Sequence, residues 1–193
     1  MVDLNGVLKS LSLILFTILF FSSCSLSKES SSESSWKEMT KIVKQHAKES
    51  RDEDSLILIG SGQGSIDCYK INLHYWVITE VKVDQAREIY FRALDKAVAL
   101  INSSEAIRPF LTNYPATESN VHLIMAFYSE PNKEPPPGYV AFITKTKNKI
   151  IYSDSINNLY RNIHIETIEE AREKLRDEMN SMDCLDDVAR DHN

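Results

Sequence analysis

The side chains that most often carry chemistry give no catalytic signature in this chain. The sequence has five histidines: His46, His74, His122, His164 and His192. None stands in the His-x-x-x-His or His-Glu-x-x-His spacing that places two zinc ligands on one helix face. A Cys68–His74 nucleophile pair fails on distance, because six residues along one predicted strand span about 20 Å. We therefore predict no metal, no cofactor and no catalytic residue.

The glycine-rich segment Gly60-Ser-Gly-Gln-Gly64 resembles a phosphate-binding loop only in composition. A phosphate cradle requires a helix N-terminus directly after the glycines, where the amides and the helix dipole face the anion. A strand pattern follows here instead, and no lysine follows Gly64 as a Walker loop requires. We interpret the segment as the flexible turn of a hairpin.

One strand pattern suggests a contact surface. Residues Tyr69 to Val77 alternate between apolar and polar side chains, which is typical of a strand with one face in the core. The opposite face then carries the possible contact surface, formed by Lys70, Asn72, His74 and Trp76. An outward Trp beside charged side chains often marks an interface. The alternative is that a helix or the N-terminal tether covers this face.

Hydrophobic periodicity predicts the elements around that strand. We expect helices over 36–50, 83–101 and 167–182, and strands over 55–60, 69–77, 121–129, 139–146 and 149–154. Asp84 is the expected N-cap of the second helix, and Thr167 with Glu170 a capping box for the third. The expected order is α-β-β-α-β-β-β-α. The predicted fold class is α+β with two layers: a curled antiparallel sheet of about five strands and helices packed on one face.

Charge and cysteine usage limit the partners. The net charge is −6, and the segment from Glu166 to Asn193 alone carries ten acidic and four basic residues. Since there is no basic stripe, we predict no nucleic-acid partner. Of the three cysteines, Cys68 and Cys184 form a possible disulfide in an oxidising compartment.

The N-terminus has the pattern of an export signal. An apolar run of 11 residues, Leu11 to Phe21, is interrupted only by Ser12 and Thr17. A membrane-spanning helix needs about 20 apolar residues, whereas a signal-peptide core needs about this length. Ser22, Ser23 and Cys24 follow.

The sequence Phe21-Ser-Ser-Cys24 resembles the lipobox of bacterial lipoproteins. The resemblance implies that Cys24 receives a thioether-linked diacylglycerol and becomes the N-terminus after cleavage. Phe21 stands where that family usually has Leu, and the leader is less basic than is typical. Ser25 rather than Asp follows the cysteine, which implies the outer membrane in a cell with two membranes. The alternatives are ordinary secretion with an incidental Cys24, or an uncleaved anchor.

The resemblance divides the chain into four parts. Residues 1–23 form a removed signal peptide, 24–35 a lipidated cysteine with a Ser-rich tether, 36–182 a single α+β domain, and 183–193 an acidic tail. The eleven residues of the tether reach about 18 Å. The segments Ile107-Arg-Pro-Phe-Leu and Asn113-Tyr-Pro also resemble small predicted lipoproteins of intracellular bacteria. That resemblance bears on the cell compartment and implies no activity.

The sequence therefore predicts an envelope lipoprotein, anchored to the lipid bilayer through the acyl chains on Cys24. The expected role is a non-catalytic binding or structural module with an envelope protein as a possible partner. Two alternatives stay open. One is an envelope enzyme whose residues converge only in space, and the other is a carrier with an enclosed apolar cavity.

Overall fold

The computed structural model describes residues 33–63 and 70–190, with side chains for all of these except 63, 179 and 181–190. The described residues fall into two units: 33–41, which are helical, and the described part of 42–193. The second unit contains everything described below.

The second unit combines helices with one six-stranded sheet. Helix α1 occupies residues 33–54, of which 42–54 belong to this unit. The other elements are β1 (Ile57–Gln63), β2 (Ile71–Ile78), α2 (Val83–Ser103), β3 (Val121–Tyr128), β4 (Phe142–Thr146), β5 (Lys149–Ile156), β6 (Leu159–Thr167) and α3 (Ile168–Arg190). Short 3₁₀ turns at Arg108–Phe110 and Glu118–Asn120 lie between α2 and β3. The α+β prediction is therefore confirmed.

The sheet is mixed, so the prediction of a fully antiparallel sheet was wrong for one pair of strands. The strands lie in the spatial order β1-β2-β3-β4-β5-β6. All neighbours pair antiparallel except β2 and β3, which run parallel with Ile71 opposite Val121 and Ile78 opposite Tyr128. The physical reason is the connection: α2 carries the chain back to the end where β2 began, and a crossover helix joins parallel strands.

The prediction also missed the sixth strand. β5 and β6 are joined at Asn157 and Asn158, whose φ angles are 53° and 61°. Two consecutive residues with positive φ form the tight turn whose twist matches a β-hairpin. Asn tolerates this conformation, and Asn-Asn was therefore an overlooked hairpin signal.

Two helix ends test the predicted caps. At α3, the backbone N–H of Thr167 donates to Glu170 (2.7 Å) and the N–H of Glu170 donates to Thr167 Oγ1 (3.1 Å), so the capping box is confirmed. At α2 the N-cap is Lys82 rather than Asp84. Asp84 lies in the first turn, where its carboxylate accepts a hydrogen bond from Arg87 (2.6 Å).

The helices contact one face of the sheet. The strand residues on this face alternate with outward ones; Ile71, Leu73, Tyr75 and Val77 of β2 are all buried. Helix α1 reaches this face through a hydrogen bond between His46 and Tyr75, and α2 through Arg87 with Glu166. The other face, which we call the open face, carries the even-numbered residues of β2 and β3.

Candidate functional site

The open face carries large apolar side chains that remain accessible. Trp76 is 37 % exposed, Ile78 44 %, Ile165 49 % and Tyr160 56 %. With the half-buried Tyr128 and Phe142 they form a set that we call the apolar patch: Trp76, Ile78, Tyr128, Phe142, Tyr160 and Ile165. The sheet thus has a second surface of core-like composition that the helices do not bury.

Strand register and ring contacts bring five of the six members of the apolar patch together. Ile78 is opposite Tyr128 across the β2–β3 pair, and Trp76 is opposite Ala126, which in turn is opposite Phe142. The rings of Trp76 and Tyr128 meet edge to face with centroids 5.4 Å apart. Those of Phe142 and Tyr160 are also 5.4 Å apart. Paired rings hold each other in place, which lowers the entropic cost of presenting them to a partner.

The four predicted contact residues lie along the same strand, as their spacing predicted. Lys70 precedes β2 and is exposed, Asn72 and His74 are half-buried, and Trp76 belongs to the apolar patch. His122 joins them from β3, because it is the parallel partner of Asn72. We call Lys70, Asn72, His74 and His122 the polar end of the open face.

The charge around His122 is entirely basic. Burial is the main cause that lowers the pKa of this imidazole, and Lys145, His74 and Lys70 lower it further. Its Nε2 atom is shielded from solvent and has no hydrogen-bond partner among the described residues.

A second polar cluster lies under the helices. Arg87 is 1 % exposed, and its Nε and Nη2 donate to the two carboxylate oxygens of Glu166 at 2.8 and 3.2 Å. Tyr152 donates to the same carboxylate (2.8 Å), and so does Lys174 (2.8 Å). This cluster connects α2, β5, β6 and α3.

The electrostatics of this buried cluster argue against acid–base catalysis. Burial by itself raises the pKa of Glu166, but the donors Arg87, Lys174 and Tyr152 outweigh it and hold that pKa at about 2. A carboxylate ionised across the physiological range, with both oxygens engaged, is a poor general acid or base. We therefore assign the cluster to fold stability. Sequence analysis missed it, although Arg87 interrupts the apolar stripe of α2.

His46 is a satisfied structural histidine. Its Nε2 donates to the carbonyl of Ala93 (2.8 Å), which leaves Nδ1 to accept a hydrogen bond from the hydroxyl of Tyr75 (2.6 Å). Burial lowers the pKa of the imidazole, so the neutral form is favoured. Both nitrogens are engaged, and none is free to act on a substrate.

Two surface cavities lie among the described residues. One of about 430 Å³ is lined by the start of α3, including Arg172 and Arg176, together with Glu118 and Asn148. The other, of about 300 Å³, lies between α1 and β1. Neither is lined by His74 or His122.

The predictions for the three cysteines fall outside the described side chains. Cys24 and Cys68 lie outside the described residues, and Cys184 lies in α3 without a described side chain. Lipidation of Cys24 and pairing of Cys68 with Cys184 remain predictions.

Comparison of the chain with protein-family models, curated proteins and solved structures finds no match. Within the described residues, no group of three His, Cys, Asp or Glu side chains is arranged to hold a metal ion. Nor does any helix there combine the length and apolarity needed to cross a bilayer. The function must therefore be inferred from the geometry of this chain's own residues.

Most of the apolar patch was not predicted from the sequence. Trp76 was identified, but Ile78, Tyr128, Phe142, Tyr160 and Ile165 were not. The available signal was the composition of β3, which is apolar on both faces, as is typical of an interior strand. β3 does lie in the interior of the sheet, but its second apolar face belongs to the open face rather than packing on another layer.

Proposed function

We propose that this chain is an envelope lipoprotein whose folded domain is a binding module, with the open face as its contact surface. The observation that carries the proposal is the apolar patch. It lies on the sheet face opposite the helices and includes an exposed Trp, an exposed Tyr and two exposed Ile side chains. The partner we expect is an envelope protein with a complementary apolar surface.

The size and chemistry of the apolar patch support binding rather than accidental exposure. Single exposed apolar residues are ordinary, whereas contiguous apolar surface bordered by polar side chains is typical of an interaction site. Burying one large apolar side chain contributes about 1.5–3 kcal/mol. Trp and Tyr are among the residues that most often dominate interface energetics. The polar end supplies the hydrophilic border that such interfaces have.

The anchor part of the proposal rests on the sequence around Cys24. Two or three acyl chains hold a protein firmly at a bilayer, and the Ser-rich segment between Cys24 and the start of α1 at residue 33 links the anchor to the domain. Confinement near the membrane raises the effective concentration of the domain for any partner in the same membrane. A weak, largely apolar contact surface is then sufficient.

An enzymatic role has less support. Among the described residues, Glu166 is locked in a saturated ion cluster and His46 has partners on both nitrogens. The two cavities described above contain neither open-face histidine. The polar end has no carboxylate acting on His122 that would orient it as a base.

Site-specific photocrosslinking in intact cells tests the contact surface. A photoreactive residue replaces Ile78 in the apolar patch or, as a matched control, Glu88 on the exposed side of α2. We expect discrete adducts from position 78 that diminish when Trp76→Ser is added, and none from position 88. Equal adduct patterns from both positions, or none from position 78, would contradict the proposal.

The anchor is tested separately by metabolic labelling with a fatty acid. We expect label on the wild-type chain and none on Cys24→Ala. Label on both chains, or on neither, would refute the anchor while leaving the contact surface to be judged by crosslinking.

A further inference from the structure

The polar end concentrates hydrogen-bond donors on one side of the sheet. Lys70 offers an ammonium, Asn72 an amide NH₂, and His74 and His122 one ring N–H each, or two when protonated. Asn72 and His122 are direct partners across the β2–β3 pair, and His74 is one outward position further along β2. Diagonal neighbours on one face are within reach of long side chains.

The glycines of β1 keep this cluster accessible. Gly62 is opposite Asn72 and Gly60 is opposite His74. A Cβ atom at Gly60 would lie 3.7 Å from His74 Nδ1, and one at Gly62 would lie 3.8 Å from the Asn72 amide nitrogen. Any larger side chain at these positions would extend over the two polar groups. With glycine at both positions, no β1 side chain there covers these two polar groups.

The charged groups that act on the polar end are basic, whereas the chain as a whole is acidic. The net charge of the whole sequence is −6, yet the groups that act on His122 are Lys145 on β4 and His74 and Lys70 on the β2 side, all basic. Burial is the main cause that lowers the pKa of Lys145, the Glu118 carboxylate opposes that shift, and Lys70 adds to it; the Lys145 ammonium also donates to the carbonyl of Glu118. Mutual repulsion of this kind costs stability unless an anion relieves it.

One ring nitrogen of the polar end, Nε2 of His122, is buried without a hydrogen-bond partner in the described part of the chain. A buried polar atom without a partner is uncommon and often marks a place for a water or an ion. The His122 side chain as a whole is half-buried, so part of it is accessible from the open face.

We propose that the polar end binds a phosphate group, held by Lys70, Asn72, His74 and His122 beside Gly60 and Gly62. The phosphate oxygens accept from the ammonium, the amide and the two imidazoles, and the anion offsets the repulsion among the basic groups. The inference does not depend on lipidation or on the apolar patch. The group belongs to a free phosphate monoester or to the diester of a phospholipid headgroup.

The test is an NMR titration of the histidine ring signals in the full chain with inorganic phosphate, replacing chloride at constant ionic strength. We expect saturable shifts of the His74 and His122 signals, with a Kd on the order of 1 mM for so open a site. The pKa of His122, measured by NMR, rises when phosphate is present, because an anion favours the charged imidazole.

Two variants and a matched control make the result specific. Lys70→Gln removes an exposed charge without disturbing the core, and we expect it to weaken phosphate binding about tenfold. His122→Gln removes the proposed ring ligand and should abolish the shift at His74. Lys48→Gln, at an exposed position of α1, should bind like the wild type.

Dimethyl phosphate distinguishes the two sources. Binding of inorganic phosphate alone assigns the site to a free dianion or monoester, whereas binding of both assigns it to the chemistry shared with lipid headgroups. No saturable shift with either probe would overturn the proposal. So would equal weakening by Lys70→Gln and Lys48→Gln, since that result indicates only nonspecific attraction.

Discussion

The two faces of the sheet are formed by the same strands but differ in burial and in hydrogen bonding. On the helix side, Tyr75 and Tyr152 are fully buried and their hydroxyls have hydrogen-bond partners. On the open side, the alternating residues Trp76 and Ile78 are exposed, and His122 Nε2 has no partner in the described part of the chain. The helix side therefore carries stability, and the open side has the character of a surface for contact.

The largest effect is expected on the helix side, at Glu166. Glu166→Ala leaves the buried Arg87 guanidinium without its bidentate partner, which should lower the free energy of unfolding by about 3–5 kcal/mol. Urea denaturation followed by circular dichroism measures it. The double variant Arg87→Met/Glu166→Leu should lose less than the single variant, because no uncompensated charge remains. A loss under about 1 kcal/mol for Glu166→Ala would show that the pair is not a stabilising element.

A smaller effect is expected at Tyr75. Tyr75→Phe removes the hydroxyl that donates to His46 Nδ1 and should lower the free energy of unfolding by about 1–3 kcal/mol. Tyr128→Phe is the matched control on the open face, where the hydroxyl is not needed by the core. Equal losses from both variants in the same denaturation assay would contradict the contrast between the two faces.

The pH dependence of stability should come from both faces, because burial lowers the pKa of His122 on the open face as well as that of His46 on the helix side. His46 has a folded pKa below its ordinary value of 6.5 because of burial. The unfolded chain therefore binds a proton first, so stability is lost as the pH falls below 6.5 and is flat above it. Glu166 contributes at lower pH. Its pKa is lowered from 4.5 to about 2 in the folded chain, so its contribution to stability is lost as the pH falls through that range. Urea midpoints between pH 7 and 5 should decline in the wild type and decline less in His46→Gln. A midpoint that rises on acidification would refute this assignment.

The smallest stability effect is expected at the apolar patch. Trp76→Ser removes one aromatic pair with Tyr128, so the free energy of unfolding should change by about 0.2–1 kcal/mol. Binding should respond more strongly, as a reduced fluorescence of a hydrophobic dye and fewer crosslinks from position 78. A large loss of stability with unchanged dye binding would place Trp76 in the core rather than at a contact surface.

Local patterns predicted the elements better than their arrangement. The alternation around His74, the apolar stripe of α2 and the Thr167–Glu170 cap each depend on neighbouring residues, and all three are confirmed. The parallel pairing of β2 with β3 depends on where a 21-residue helix returns the chain, which spacing alone does not determine.

The candidate site was predicted only where it depends on local sequence patterns. Asn72, His74 and Trp76 lie in β2 and Lys70 directly precedes it, so period two was sufficient to place them on one face. His122 joins them only through the parallel register, and Tyr160 and Ile165 come from the strand that the sequence analysis missed. Long-range pairing of this kind has no signature within a window of a few residues.

The central claim is that the open face is covered by a partner in the cell envelope. Cysteine labelling measures it: Ile78→Cys and Glu88→Cys are treated with a maleimide in the purified chain and in isolated envelopes, with the parent chain as background. The account predicts that Ile78→Cys reacts when purified and is protected in envelopes, whereas Glu88→Cys reacts in both. Equal reactivity of Ile78→Cys in the two preparations would contradict it.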